Sequence, residues 1–268
     1  MLTLRLKQSS SIPLEVEGLL PEKLAALSCV EIERLPLAHG NRTESVAEWF
    51  DVFGDASANE ITFEGDCNFV KRIGERMTTG RIIVDGNAGL HVGAAMKGGT
   101  IRVNGDAADW LGAEMTGGRI EVRGSVGNQV GAAYRGSRKG MSGGTILIEG
   151  DAGDELGLLM RRGLIAVRGT VGSFCGASMI AGTIVVAGGV GPRIGAGMKR
   201  GTIVVAGPEP AWPPGAAFAC EYQPVFANVL SAQLRSIGFD YLPHSPVTVR
   251  CHRADLVTGG KGEIWTVR

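Results

Sequence analysis

In this 268-residue chain, five cysteines and four histidines are the residues best suited to hold a metal or attack a substrate. Cys29, Cys67, Cys175, Cys220 and Cys251 are far apart, odd in number and free of any CxxC pair. That argues against a disulfide framework, a zinc knuckle or an iron–sulfur cluster held by this chain alone. Cys251 adjoins His252, but neighbours on a strand point to opposite faces. Six methionines (Met77, Met96, Met115, Met160, Met179, Met198) recur at one position of a repeat, with Tyr134 as the exception. Inward stacking of an adaptable apolar side chain explains that column better than a soft-metal channel. A polar column, Asp66, Asn87, Asp106, Ser125, Asp151 and Thr170, alternates acids with neutral residues, which suits turn chemistry rather than calcium or a carboxylate pair. GGKG at 259–262 lacks P-loop spacing and reads as a turn, and AGGVGPRIGAG at 187–197 lacks the long helix of a dinucleotide site. No catalytic or metal residues emerge.

Cations remain. Lys97, Arg161, Arg162, Lys199 and Arg200 accumulate before one glycine of the repeat, and the insertion YRGSRKGM adds Arg135, Arg138 and Lys139 nearby. Such an edge is either simply solvated or a dock for an acidic partner or polyanionic ligand. Formal charge is balanced, 27 basic against 27 acidic residues, so no global field gathers nucleic acid or a membrane surface. Nowhere do 18 apolar residues run together, and the first residues lack a signal-peptide core, so the expected compartment is the cytoplasm.

The elements that must position these residues are set by five copies of one 19-residue pattern, at 81–99, 100–118, 145–163, 164–182 and 183–201. Residues 119–144 carry a copy enlarged by seven residues, 60–80 one enlarged by two, and TIVVAG at 202–207 starts another. WFDVFG at 49–54 reads as a truncated opening strand. Positions 2 and 4 are apolar in each copy while 3 and 5 vary, which predicts a half-buried strand. A second alternating set at positions 12, 14 and 16 (Val92, Ala94, Met96 in the first full copy) predicts another short strand after a turn. Glycines at positions 6 and 19 mark turns where positive φ is expected, and the glycine at 13 is expected to point outward at a bend, bulge or close backbone approach. One such coil cannot offset its ordering entropy, so successive coils must stack in parallel and share a core. The predicted architecture is all-β: a parallel β-helix of roughly seven to eight coils at 49–207, between an α/β cap at 1–48 and a C-terminal helix and strands at 208–268. The flank reading includes a helix after Pro21, a strand around Cys29–Leu35, an amphipathic helix over 225–238, and strands around 247–251 and 263–267. At position 3 the outer face turns apolar in the later copies (Leu147, Ala166, Val185, Val204), so the 225–238 helix or a partner chain should cover it.

The copies of TIxVxGxxGxxxGxxMxxG, the lead-in WFDVFGD and the tail DLVTGGKGEI together resemble the C subunit of formylmethanofuran dehydrogenase and its bacterial counterpart in the formyltransferase/hydrolase complex of methylotrophs. The repeat alone is also similar to the C-terminal domain of the glutamate synthase large subunit. The resemblance implies a right-handed β-helix and a non-catalytic supporting subunit in methanofuran- and tetrahydromethanopterin-linked one-carbon metabolism. It implies partners: a formyltransferase, an amidohydrolase-like chain and a molybdopterin-subunit-like chain. It places the methanofuran-type cofactor and the metal ions on those sister subunits, with none bound by this chain alone. It also offers a ligand for the basic edge, the cofactor's polyglutamate tail. The bacterial hydrolase complex is the preferred reading, with the tungsten/molybdenum dehydrogenase and a glutamate synthase-like structural domain as alternatives. A polysaccharide lyase is disfavoured because acids and cations do not share one outer strand face. An ice-binding surface is disfavoured because the threonine row is broken by Arg81, Arg119 and Leu164.

Overall fold

A computed structural model of the chain describes residues 1–242 and 246–268. Among the described residues the molecule is mostly β, with a 13-stranded sheet as its spine and a four-stranded sheet near the N-terminus. The strands at repeat positions 1 to 4 pair in parallel without slipping: Ile82 lies beside Ile101, Ile101 beside Ile120, Ile120 beside Ile146, and the row continues through Ile165 and Ile184 to Ile203. Identical spacing sets this register, because a slip of one residue would turn every isoleucine to the outside. A second line of parallel bridges joins position 8 of successive repeats, from Cys67 and Ala88 through to Val190. The isoleucines of position 2, the valines of position 4 and the methionine column are fully buried in one continuous core.

Positions 11 to 16 are not a strand. Each 19-residue copy there is a tight turn in which every second residue is left-handed, as at His91 (φ 65°), Gly93 (φ 63°) and Ala95 (φ 52°). Alternating backbone handedness also sends alternate side chains to opposite sides, so Val92, Ala94 and Met96 are buried as the pattern requires. The turns are tied between repeats by bonds such as Gly112 N–H to Val92 O and Thr116 N–H to Met96 O, both 2.8 Å. The glycine at position 13 therefore does not face outward. A Cβ at Gly157 would sit 2.6 Å from the buried Ile184 Cδ1, and φ there is +71°. At position 6 the need is proximity rather than positive φ: a Cβ on Gly124 would come within 2.7 Å of the Gly105 carbonyl carbon in the repeat before it.

The insertion leaves the core intact, because Met141, and not Tyr134, occupies the methionine column, fully buried. Its methyl packs against Gly163 as the Met96 methyl packs against Gly118. Phe50–Gly54 is not the opening strand of the stack; Leu2–Leu6 pairs in parallel with Glu60–Glu64, and Phe50–Gly54 lies antiparallel outside it at the sheet edge. Cys29–Glu33 is a helix, not a strand, because Ser28 and Glu31 form a reciprocal capping box. At the far end Gly262–Val267 continues the parallel stack beside Gly201–Val205, followed by antiparallel Val249–Arg253 and Ala217–Tyr222. The C-terminal helix, Val225–Ser236, lays Ala227, Leu230 and Leu234 over Leu147, Ala166, Val185 and Val204, so the outer face that becomes apolar is covered by the chain itself.

Candidate functional site

The cations before the position-19 glycine are displayed by a fixed backbone. Lys97, Arg161 and Lys199 each donate their backbone N–H at 2.8 Å to the methionine carbonyl one repeat earlier (Met77, Met141 and Met179). With the main chain tied to the stack and the methionine filling the core, the next side chains must leave it. All eight predicted cations are exposed. Among the described residues none of them has a carboxylate within the 4.0 Å of an ion pair, although arginines elsewhere, such as Arg5, Arg81 and Arg253, do.

Successive repeats stand about 4.8 Å apart along the stack. Arg161 and Arg162 are two repeats from Lys199 and Arg200, a separation of about 10 Å, whereas Lys97 lies three repeats before Arg161 and stands apart. The insertion loop is bound to the repeat that carries Arg161: Ala133 N–H donates to Leu158 O at 3.1 Å and Gly140 N–H to Leu159 O at 3.0 Å. Arg135, Arg138 and Lys139 thus start from the same corner as Arg161. The root of the loop is held by Tyr134, which stacks on Trp110 with ring centroids 4.8 Å apart and shares a 2.8 Å hydrogen bond with His91 Nδ1. Desolvation lowers the His91 pKa, helped by the neighbouring Arg72 and Lys71 and opposed by Glu75 and Glu15. Burial pushes the Tyr134 hydroxyl up to about 12.

The polar column does structural work. Asp106 Oδ1 accepts from Ser125 N–H at 2.7 Å, Ser125 Oγ from Asp151 N–H at 3.1 Å, and Asp151 Oδ1 from Thr170 N–H at 2.6 Å. A parallel ladder from Asp109 through Asn128 and Asp154 to Ser173 does the same three residues further on. Asp106, Asp109, Asp151 and Asp154 are each occupied by the backbone of the next repeat, while Asp66 accepts from the side-chain amides of Asn68 and Asn87. Burial pushes the Cys67 and Cys175 thiols up to about 12, which leaves them protonated at neutral pH. Cys251 packs with Trp265 while His252 turns the other way onto Trp212, so this pair is split between faces. Among the described residues no group of three or more His, Cys, Asp or Glu could hold a metal ion, and no helix is long and apolar enough to cross a membrane.

Residues 81–214 match the GXGXG motif family. The X-ray crystal structure of the formyltransferase/hydrolase complex (FhcABCD) from Methylorubrum extorquens in complex with methylofuran contains a chain that is 32% identical to this one, with a TM-score of 0.90 and 98% of each chain covered. The C subunit of the tungsten-containing formylmethanofuran dehydrogenase 2 of Methanococcus maripaludis is 44% identical over 92 residues, 34% of this chain and 34% of that protein. The C subunit of the molybdenum-containing formylmethanofuran dehydrogenase 1 of Methanosarcina barkeri is 44% identical over 90 residues, 32% of this chain and 30% of that one. The chain belongs to the family of formylmethanofuran dehydrogenase C subunits. The matched stretch spans about a third of the length of these two curated relatives.

One residue of the corner escapes the repeat pattern in this family member. Lys261 lines a cavity of about 410 Å³ with Lys199, Arg200, Thr258, Gly259 and Ile180. It is held there because Thr258 Oγ donates to Met198 O at 2.8 Å and because Gly262 pairs with Gly201. Its signal is present in the tail, where KGEI at 261–264 matches RGTI at 200–203 once the two glycines are aligned.

Proposed function

We propose that this chain is the non-catalytic scaffold subunit of a formyltransferase/hydrolase complex in methanofuran-linked one-carbon metabolism, working in the cytoplasm. Its parallel stack is read as a right-handed β-helix: three segments per repeat pair with their counterparts one repeat away, and right-handed connections are the rule between parallel strands. The observation that carries the functional reading is the correspondence, across 98% of both chains, to a chain of the methylofuran-bound complex. A stack in which Asp106, Asp109, Asp151 and Asp154 are spent on its own backbone and whose buried thiols stay protonated suits support better than chemistry. Formyl transfer and hydrolysis then belong to sister subunits, which also hold the metal ions. The exposed corner of Arg161, Arg162, Lys199, Arg200 and Lys261, with the loop cations Arg135, Arg138 and Lys139, is the proposed dock for an acidic partner or the polyanionic tail of the furan cofactor. Lys97 flanks it.

The tungsten or molybdenum dehydrogenase is the second reading, favoured by the 44% identity to its C subunit over 92 residues. Purification of the native protein from its own cells separates the two. A formyltransferase and an amidohydrolase-like chain travelling with it support the first reading, and a metal-bearing molybdopterin chain in their place supports the second. A lone chain that turns over a sugar or an amide overturns both.

A further inference from the structure

On the outer face of the sheet, where the C-terminal helix ends, three guanidinium groups meet around a cavity of about 270 Å³: Arg102, Arg119 and Arg123. Arg119 is engaged. Its Nη2 donates at 2.8 Å to the carbonyl of Ile237, the residue capping the helix C-terminus, and its Nε pairs with Glu121. The other two are not. Glu121 stands directly across the ladder from Arg102 but has turned toward Arg119. Glu149, one residue beyond the Val122 and Ile148 pair and so alongside Arg123, accepts from the Tyr241 hydroxyl at 3.0 Å and lies 3.4 Å from Arg168. Among the described residues Arg102 and Arg123 have neither a carboxylate within ion-pair distance nor a side-chain hydrogen bond, although each has an acid as its strand neighbour.

Glu121 and Glu149 also line the cavity, but each is engaged, Glu121 by Arg119 and Glu149 by Tyr241 and Arg168, in contacts that also fix the end of the helix, so neither is free to swing toward Arg102 or Arg123 without releasing Arg119 or Tyr241. The two guanidinium groups repel one another, and Leu147 and Ile237 form an apolar wall beside them that strengthens any charge pairing in the cleft. A planar fork of N–H donors suits the oxygens of a carboxylate or a phosphate. We propose that this cavity is a binding site for a small oxyanion, a phosphate or a short carboxylate, held between Arg102 and Arg123. It lies on the strand face, away from the corner cations that precede the position-19 glycines, and does not rest on the assignment made for them.

The test is a titration of the full chain at low ionic strength with inorganic phosphate and, separately, with succinate, followed by calorimetry and by the arginine Nε–H signals in NMR. Saturable binding of either anion supports the site, and the one that binds names the chemistry. Arg102→Gln/Arg123→Gln weakens it at least about tenfold, since charge-assisted hydrogen bonds are lost, whereas Arg161→Gln/Arg200→Gln leaves it unchanged. Neither arginine has a side-chain partner among the described residues, so the double variant keeps the parent melting midpoint, and Arg123→Lys retains part of the affinity. Absence of saturable binding by both anions, or equal loss in the strand-face and corner variants, overturns the proposal.

Discussion

Replacing Gly157 by alanine isolates what the inward glycines do. Two costs combine at this position. A left-handed backbone (φ +71°) is unfavourable for alanine by about 1 kcal/mol. The new methyl would stand 2.6 Å from the Cδ1 of the fully buried Ile184, an overpacking of about 1 to 3 kcal/mol. The expected loss is about 2 to 4 kcal/mol. Gly136→Ala is the matched control, because φ is +87° there and nothing lies within 4 Å of the added methyl, so only the backbone cost of about 1 kcal/mol applies. Ile184→Val removes the clashing methyl and alone costs about 0.5 to 1.5 kcal/mol. In the double variant, Gly157→Ala with Ile184→Val, the two losses should fall short of their sum by about 1 kcal/mol or more. Urea unfolding followed by circular dichroism reads all four proteins. Equal losses at Gly157 and Gly136, or strict additivity in the double variant, would refute the reading that these glycines exist to clear the isoleucine column.

Three further outcomes follow from the same geometry. Charge reversal at Arg161, Arg162 and Arg200 should change the stability of the isolated chain by no more than about 0.5 kcal/mol, because these side chains make no ion pairs among the described residues, while weakening assembly or anion binding in a salt-dependent way; a pull-down at two ionic strengths checks it. Leu234→Ala should cost about 2 to 5 kcal/mol, since the side chain is fully buried beneath the helix, and should expose the strand face to a hydrophobic dye. The His91 pKa is lowered in the folded chain, so below the unfolded value of about 6.5 the unfolded state binds the extra proton first and stability falls on acidification. Hydrogen-exchange protection factors in 133–140, which correct for the intrinsic slowing of exchange in acid, should therefore fall as pH drops through and below that value, and His91→Gln should flatten the dependence.

Much of the architecture is legible in the sequence because stacking converts sequence period into spatial columns: a residue repeated every 19 positions meets its own kind. Ile82, Ile101 and Ile120 announce their neighbours before any coordinates exist. The turn at 91–96 reads as a strand because alternating backbone handedness and an extended chain produce the same alternation of buried side chains. Only the tolerance of His91, Trp110 and Phe174 for left-handed φ separates them, and nothing in those residue types signals it. Met141 is hidden by the insertion, which displaces it from its expected count, and the Cys29 helix by the alternation of Val30 and Ile32 with Glu31 and Glu33, which mimics a strand and masks the Ser28–Glu31 capping signal. The corner cations are visible as a spacing. That they have no carboxylate partner among the described residues is seen only in the folded chain, and that Arg102 and Arg123 are left facing a cavity depends on which way Glu121 and Glu149 turn, a choice made by the end of the helix rather than by the strand.

The central claim, that this chain supports chemistry carried by its partners, is tested most directly by reconstitution. The proposed formyltransferase and hydrolase partners are assembled with and without the chain, and release of formate from the formylated furan cofactor is measured beside the chain alone. The account predicts no turnover by the isolated chain and full activity only in the assembly that contains it. Formate release by the isolated chain, or an assembly equally active and intact without it, would contradict that claim.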